Sequence, residues 1–169
     1  MVRAKDSATP ATLALTAAGV TFQVHTYSHD PRSELSFGLE AAEALGVDPT
    51  VVFKTLVVQV PGLARHSGLA VALVPVAETL DLKAVAQSFG QKKATLAPPA
   101  DAQRSSGYVT GGISPVGQRT ALPTVVDASA QGLDRVYVSG GRRGLDVSLA
   151  PSDLAAVTGA TFAAITARR

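Results

Sequence analysis

The sequence predicts an α+β fold in which helices flank a mixed, twisted and partly barrel-like β-sheet. Helix-type and strand-type segments alternate irregularly along 169 residues, with no long linker, repeat or low-complexity tract. Two strongly apolar strand patterns, 51–60 and 69–76, are joined by the turn-rich segment 61–68, which is typical of a hairpin. Because hairpin strands are antiparallel, a purely parallel sheet is disfavoured. With 46% apolar and 17% charged residues, we expect one compact domain over residues 1–169.

The N-terminal part of the chain predicts two helices with a strand between them. Thr9-Pro10 is typical of a helix start, and Gly19 favours the end of that helix. Residues 21–27 show a two-residue alternation, which indicates a half-buried strand. A second helix is predicted over residues 36–45, because Gly46 can end it in a left-handed conformation.

The rest of the chain predicts further short helices and strands. Asp81 is a suitable N-cap for a helix that reaches Phe89, and a short strand (92–96) and a short helix (98–104) follow it. Pro151-Ser152-Asp153 starts a last predicted helix, which ends near Gly159. The strands predicted after residue 120 are 124–127, 135–139, 145–149 and 161–166.

Composition and charge exclude several classes of protein. The chain has no cysteine, which excludes disulfides, an enzyme thiol nucleophile and the commonest zinc sites. A net charge of +2 permits an anionic partner without requiring one. Neither a metal-binding histidine spacing nor a Gly-x-Ser-x-Gly motif occurs. The sequence also lacks a signal peptide and a run of eighteen apolar residues. We therefore expect a cytoplasmic protein with no membrane contact, metal or cofactor.

The segment 107–118 is the strongest candidate for a binding loop. It contains four glycines and a Ser-Pro pair with few charges. Glycine lets main-chain N–H groups approach a ligand closely, so the amides of Gly111–Ser114 could meet a carbonyl oxygen or a phosphate. The alternative is an ordinary turn before a strand.

Lys54 lies near the start of an almost wholly apolar predicted strand. An ammonium group buried without a partner is costly, so this side chain has to reach water, a carboxylate or an anionic ligand. It is either a solvated side chain at a strand end, or a cation held beside the glycine loop for a phosphate or a developing negative charge.

The segment 139–146, Ser-Gly-Gly-Arg-Arg-Gly-Leu-Asp, predicts a hairpin turn. In one interpretation its two arginines are only exposed surface residues. In the other, Ser139 and Asp146 lie at facing strand ends beside a pocket, where Asp146 binds an ammonium group or orients a neighbour. Arg142 and Arg143 would then bind nucleic-acid phosphates.

Two aromatic residues and three further cations are weaker candidates. Residues such as Tyr27 and Phe37, at a strand-to-helix connection, more often pack or lie at the surface than bind a ligand. Cations beside glycine-rich turns are usually a solvated face, and the alternative here is a phosphate-facing rim formed by Lys92, Lys93 and Arg104.

Taken together, these segments resemble the YbaK/EbsC family of aminoacyl-tRNA editing proteins, particularly its Cys-tRNA(Pro) deacylase branch. The matching pieces occur in family order and cover nearly the whole chain after the first helix. They are Phe22–Tyr27 with His29-Asp30-Pro31, Phe53-Lys-Thr-Leu56, Val74-Pro-Val76, Leu80–Lys83, Gly90–Lys93, Gln103–Tyr108, Gly111-Gly-Ile-Ser-Pro115 and Val138–Asp146.

The resemblance implies an editing domain that hydrolyses mischarged tRNA esters. Lys54 would contact the phosphate or ribose of the acceptor end, and the amides of Gly111 and Gly112 would hold the ester carbonyl. In this branch the thiol of the substrate cysteine attacks its own ester, so no enzyme nucleophile is needed. The residues that the resemblance places around the substrate are Tyr27, Phe37, Ile113, Ser114, Ser139 and Asp146.

Two alternatives to Cys-tRNA(Pro) deacylation stay open. The protein could deacylate Ala-tRNA(Pro) or another small aminoacyl-tRNA with an attacking water, or it could be a non-catalytic tRNA- or nucleotide-binding module. The expected partner is an aminoacyl-tRNA. The resemblance also makes prolyl-tRNA synthetase an expected partner, and a domain with only a modest positive charge could rely on it to deliver the substrate.

Overall fold

The computed structural model describes residues 7–167, which form five α-helices and eight β-strands. Three of the helices begin at side-chain caps, of which the sequence predicts Thr9 and Asp81: Thr9, Ser36 and Asp81 each accept a hydrogen bond from an amide of the first turn. The helices are α1 (Pro10–Ala17), α2 (Phe37–Leu45), α3 (Leu82–Ser88), α4 (Pro99–Ser106) and α5 (Pro151–Thr158).

The strands form two sheets. One is antiparallel, with the order β1-β7-β6, and the other is mixed, with the order β4-β2-β3-β5-β8. In the mixed sheet β2 pairs antiparallel with β3 and β4, whereas β3, β5 and β8 are parallel. The strands are β1 (Phe22–Thr26), β2 (Phe53–Gln59), β3 (Leu69–Pro75), β4 (Thr95–Leu96), β5 (Thr124–Asp127), β6 (Val136–Arg142), β7 (Leu145–Leu149) and β8 (Thr161–Ala163).

The α+β class and the 51–76 hairpin are therefore confirmed, but the strands divide into two sheets, which the bridge between Val52 and Tyr137 connects. The strands of residues 7–167 do not close into a barrel. Some strand ends also differ from the sequence prediction. β4 has two residues, and β6 continues past Ser139 through an irregularity that reaches Arg142. Glycines at 140 and 141 allow such a bulge next to a hairpin turn.

The two faces of the mixed sheet are both buried, which fixes the relative positions of the sheets. One face packs with α1, α5 and the antiparallel sheet in a cluster that includes Leu15, Val57 and Val147. The opposite face packs with α3 in a cluster that includes Val74 and Val85. All seven residues of β3 are buried, as expected for a strand covered on both sides. No helix in the described part of the chain is long and apolar enough to cross a membrane.

Candidate active site

A cavity of about 340 Å³ opens along the outer edge of β2, where the two sheets separate. This edge contacts the antiparallel sheet at Val52, through the bridge to Tyr137, and contacts β4 at Val58 and Gln59. Between these two contacts no strand of residues 7–167 pairs with the edge, and the cavity is lined by residues 53–57. The separation of the sheets thus creates a ligand-sized space beside main-chain groups.

Thr55 lies in the middle of this open edge. The carbonyl oxygen of Val52 accepts from Val76 on the β3 side, whereas that of Val57 accepts from Ala97 on the outer side. Main-chain groups alternate between neighbours along an antiparallel strand, so those of Thr55 face the cavity side, like those of Val57. The buried Thr55 hydroxyl has no hydrogen-bond partner among the described residues. The sequence analysis did not select Thr55, and its only signal was a hydroxyl beside Lys54 in an apolar strand.

Lys54 lines the same cavity and is half-buried. Burial lowers the pKa of its ammonium group from the usual value, and the negative charge of Glu78 acts in the opposite direction. Such a cation interacts more strongly with an anionic group than a solvated lysine does, because less water screens the charge.

Asp146 supplies a buried carboxyl group on the antiparallel-sheet side of the cavity. It pairs across the strands with Ser139 on β6 and with His25 on β1, and Ser139 also lines the cavity. Asp146 is 5% exposed, and burial raises its pKa to about 7. The pKa of the neighbouring Tyr27 is raised to about 12, first by burial and then by the Asp146 charge. A buried carboxyl group that titrates near neutral pH is typical of a functional site.

The glycine loop contributes Gly111 and Ile113 to the cavity lining. Their N–H groups donate no hydrogen bond to another residue of the described chain. Gly112 lies outside the lining: its N–H donates to Val109, and a Cβ at this position would lie 2.8–3.0 Å from main-chain atoms of Arg142 and Arg143. Ser114 is buried, and its hydroxyl accepts from the amide of Val116.

The five predicted phosphate-binding residues lie outside the cavity lining. Arg143 contacts the glycine loop and Phe37, which lines the cavity. Arg104 forms an exposed ion pair with Asp101. The other three are exposed side chains: Lys92 and Lys93 before β4, and Arg142 at the end of β6.

The structure therefore brings Lys54, Gly111, Ile113, Tyr27, Phe37, Ser139 and Asp146 into one cavity. In residues 7–167 no group of three or more His, Asp or Glu side chains is arranged to bind a metal ion. The lining residues supply one ammonium, one carboxyl and one hydroxyl without a partner among the described residues, around a mostly apolar space. Two of them, Gly111 and Ile113, also have main-chain N–H groups that donate to no other described residue. The arrangement suits a small ligand that carries both a cationic group and a polarised oxygen.

Comparison with known proteins identifies the class to which this fold and cavity belong. Residues 38–157 match the family model of the aminoacyl-tRNA editing domain. The chain is 36% identical, over 127 residues and 75% of each chain, to EbsC of Enterococcus faecalis, a proposed Cys-tRNA(Pro)/Cys-tRNA(Cys) deacylase. A proposed trans-editing enzyme for prolyl-tRNA synthetase has a crystal structure with a TM-score of 0.82 and 27% identity, covering 99% of this chain and 100% of that one.

A further crystal structure, of a hypothetical protein, has a TM-score of 0.81 and 26% identity over 94% of this chain and all of its own. The protein described here belongs to the aminoacyl-tRNA editing domain family, which confirms the resemblance found in its sequence.

Proposed function

We propose that this protein is a trans-editing deacylase that releases cysteine from Cys-tRNA(Pro). Its family acts on aminoacyl-tRNA, and a relative 36% identical to it is a proposed deacylase of Cys-tRNA. The observation that carries the proposal is the position of Lys54, Gly111 and Asp146 around one cavity of about 340 Å³. An aminoacyl group on a terminal ribose presents an ammonium, an ester carbonyl and nearby phosphate, which are the charges that these three residues complement.

Each polar group has a proposed role. The Asp146 carboxylate binds the α-ammonium group of the aminoacyl moiety. The N–H groups of Gly111 and Ile113 donate to the ester oxygen as negative charge develops on it. Lys54 binds the phosphate or ribose oxygens of the acceptor end and adds positive charge near the reacting ester. Thr55 and Ser139 hydroxyls complete the polar contacts.

The proposed chemistry needs no enzyme nucleophile, in agreement with the absence of cysteine from the chain. The cysteine sulfur of the substrate loses its proton and attacks its own ester carbonyl. A carbon–sulfur bond forms, and the bond from the carbonyl carbon to the ribose oxygen breaks. The ribose oxygen takes up a proton, so that uncharged tRNA and a cyclic thioester leave. Orientation of the substrate and polarisation of its carbonyl supply the catalysis.

A comparison of three charged tRNAs tests this proposal. Purified protein is incubated with Cys-, Ser- and Ala-tRNA(Pro), and release of the labelled amino acid is measured under single-turnover conditions. We expect the cysteinyl ester to react at least about tenfold faster, because a thiol is a better nucleophile than a hydroxyl at neutral pH and alanine carries neither. Equal rates for Cys and Ala would favour an attacking water. Saturable binding without release would favour a non-catalytic module.

The Lys54→Ala variant tests the cation. We expect its rate to fall about 100-fold, in the range observed when one electrostatic contact to a transition state is removed. Lys83→Ala, an exposed lysine on α3, is the matched control and should retain the native rate. An unchanged rate for Lys54→Ala would remove Lys54 from the mechanism.

We also propose that prolyl-tRNA synthetase delivers the substrate. The modest net charge of +2 supports this, because it gives weak attraction for tRNA alone. Co-purification of the protein with prolyl-tRNA synthetase and tRNA tests it. Failure to recover a ternary complex at low salt would contradict this proposal without affecting the deacylation assay.

A further inference from the structure

Arg143 joins three segments at the edge of the cavity. Its Nε donates a hydrogen bond of 2.9 Å to the carbonyl oxygen of Thr110. Its guanidinium carbon lies 4.9 Å from the centre of the Phe37 ring, within cation–π distance. Thr110 and Phe37 both line the cavity. One side chain from the β6–β7 turn thus contacts the glycine loop and the first residue of α2.

The packing around Gly111 shows how close these contacts are. Gly111 has φ +86°, and a Cβ at this position would lie 2.9 Å from Nε of Arg143 and from two ring carbons of Phe37. The Phe37 ring is itself 5.5 Å from the ring of His29, whose Nδ1 lies 3.0 Å from Glu40 Oε2. Phe37 and Arg143 therefore pack directly on the glycine main chain.

The hydrogen bond to Thr110 determines where the Gly111 N–H points. The Thr110 carbonyl and the Gly111 N–H belong to one planar trans peptide, in which the two bonds point in opposite directions. Fixing the carbonyl toward Arg143 fixes the N–H away from Arg143, which itself lies outside the cavity lining. This peptide is the central one of a turn closed by the hydrogen bond from the Gly112 N–H to the Val109 carbonyl, and such a turn allows two orientations of its central peptide. The contact with Arg143 favours one of them.

We propose that Arg143 is a positioning residue that holds the Thr110–Gly111 peptide with its N–H directed into the cavity. This rests on the proposed function, in which that N–H polarises the ester carbonyl. This role differs from the sequence-based prediction that Arg143 binds a nucleic-acid phosphate, because it uses the Nε–H and the face of the guanidinium, which both make contacts within the protein.

The Arg143→Lys variant separates the two roles. Lysine retains the positive charge that a phosphate contact needs. It lacks the planar guanidinium group, which stacks on Phe37 and at the same time donates from Nε to the Thr110 carbonyl. We expect kcat for Cys-tRNA(Pro) to fall about tenfold or more, KM to stay within about twofold, and the salt dependence of KM to be unchanged. Arg65→Lys, at an exposed arginine in the β2–β3 connection, controls for the substitution itself and should match the native protein.

The amide signal of Gly111 in ¹⁵N–¹H spectra of glycine-labelled protein provides a readout independent of activity. We expect Arg143→Lys to shift or broaden the Gly111 signal, while glycines remote from the loop stay in place. A coincident Gly111 signal in native and variant proteins would overturn the proposal. A native kcat for Arg143→Lys would also overturn the proposal. So would a loss confined to KM, if Arg143→Gln shows the same loss together with a weaker salt dependence of KM, because that result indicates a phosphate contact.

The two proposals fail in different ways. If the native protein releases no amino acid from any charged tRNA, the proposed function is wrong, and the Gly111 signal still shows whether Arg143 orients the loop. If the native protein is active and the Gly111 signal is insensitive to Arg143, only the role of Arg143 is wrong.

Discussion

At the residue scale, the buried hydroxyl of Thr55 has no hydrogen-bond partner among the described residues. A buried hydroxyl without a hydrogen bond destabilises the folded state, since it loses its bonds to water and gains none. Thr55 also lines the cavity, so a rotation of its side chain would bring the hydroxyl to a bound ligand, which could supply the missing partner. Stability and ligand binding thus make opposite demands on this residue.

Substitution of Thr55 by valine tests this conflict. We expect the free energy of unfolding, measured with urea, to rise by about 1 kcal/mol, because valine has a similar shape and no hydroxyl to satisfy. Deacylation should slow at the same time. Thr124→Val is the matched control: its buried hydroxyl donates to the Leu122 carbonyl, so the same change should lower stability by about 1 kcal/mol. Loss of stability in both variants would show that the Thr55 hydroxyl is satisfied in solution.

Asp146 makes stability depend on pH in the opposite sense to a salt-bridged carboxylate. Burial raises its pKa from the usual 3.8 to about 7. Between these values the folded protein keeps the proton and the unfolded chain has lost it, so stability falls as pH rises from about 4 to 7. The effect has an upper limit of about 4 kcal/mol, at ~1.4 kcal/mol per pKa unit.

The Asp146→Asn variant should lack this fall. We expect it to be more stable than the native protein at pH 8, with the difference disappearing near pH 4, as measured by urea unfolding across the pH range. In activity, native KM should decrease as pH rises from 6 to 7.5, because only the ionised carboxylate attracts the substrate ammonium. The KM of Asp146→Asn should be higher, and it should lack this decrease. Parallel stability curves for the two proteins would contradict a pKa near 7.

At the scale of elements, the glycine loop is shaped by its packing on the β6–β7 turn. A Cβ at position 112 would lie within 3.0 Å of main-chain atoms of Arg142 and Arg143, which cannot move independently of the hairpin. Gly112 therefore acts through close packing, and it sets the distance between the loop and the turn that carries Arg143.

Gly112→Ala should for this reason destabilise the protein by about 1–3 kcal/mol, the usual cost of overpacking, and reduce deacylation. Gly132→Ala is the control, because a Cβ there meets no atom within 4 Å. It should leave both stability, measured by thermal unfolding, and activity near native values. If Gly112→Ala is as stable as Gly132→Ala, the loop can move away from the turn without cost.

At the scale of the whole molecule, the cavity mouth and the basic side chains form separate features. Lys92 and Lys93 are exposed shortly before Leu96, which lines the cavity. Their position favours contact with tRNA phosphates beyond the terminal aminoacyl group, an interaction that depends on charge and not on fit.

The double variant Lys92→Ala/Lys93→Ala should bind tRNA more weakly without altering the chemistry. We expect KM to rise several-fold at 50 mM salt, kcat to stay constant, and the slope of log KM against log salt to decrease in magnitude by about 1 to 2. Steady-state deacylation at three salt concentrations measures both values. A salt dependence equal to that of the native protein would show that these lysines lie away from the bound tRNA.

Local signals in the sequence account for most of the elements. The caps at Thr9, Ser36 and Asp81 and the left-handed glycines at 46 and 159 mark helix ends correctly, because these signals act within one turn of the chain. The ends of β4 and β6 differ from the prediction, because strand length depends on which partner edge is available. Strand pairing between distant residues leaves no local trace.

The candidate site shows the same division. Residue type alone drew attention to Lys54 and Asp146, since a charge in an apolar strand or beside a glycine turn needs an explanation. Thr55 was missed, because its importance comes from the open edge of β2, and that edge exists only where the two sheets separate. The contacts of Arg143 to Thr110 and Phe37 were not predicted, because they join residues far apart in sequence.

The sequence by itself determined the α+β class, the family and the identity of the main charged groups, because periodicity, capping and ordered motifs are properties of neighbouring residues. Only the tertiary structure decided that the strands form two sheets, that a cavity opens between them beside Thr55, and that the Thr110 carbonyl accepts a hydrogen bond from a side chain of another hairpin. The physical reason is that packing and hydrogen bonds between distant segments depend on how buried faces fit together, and no single segment contains that information.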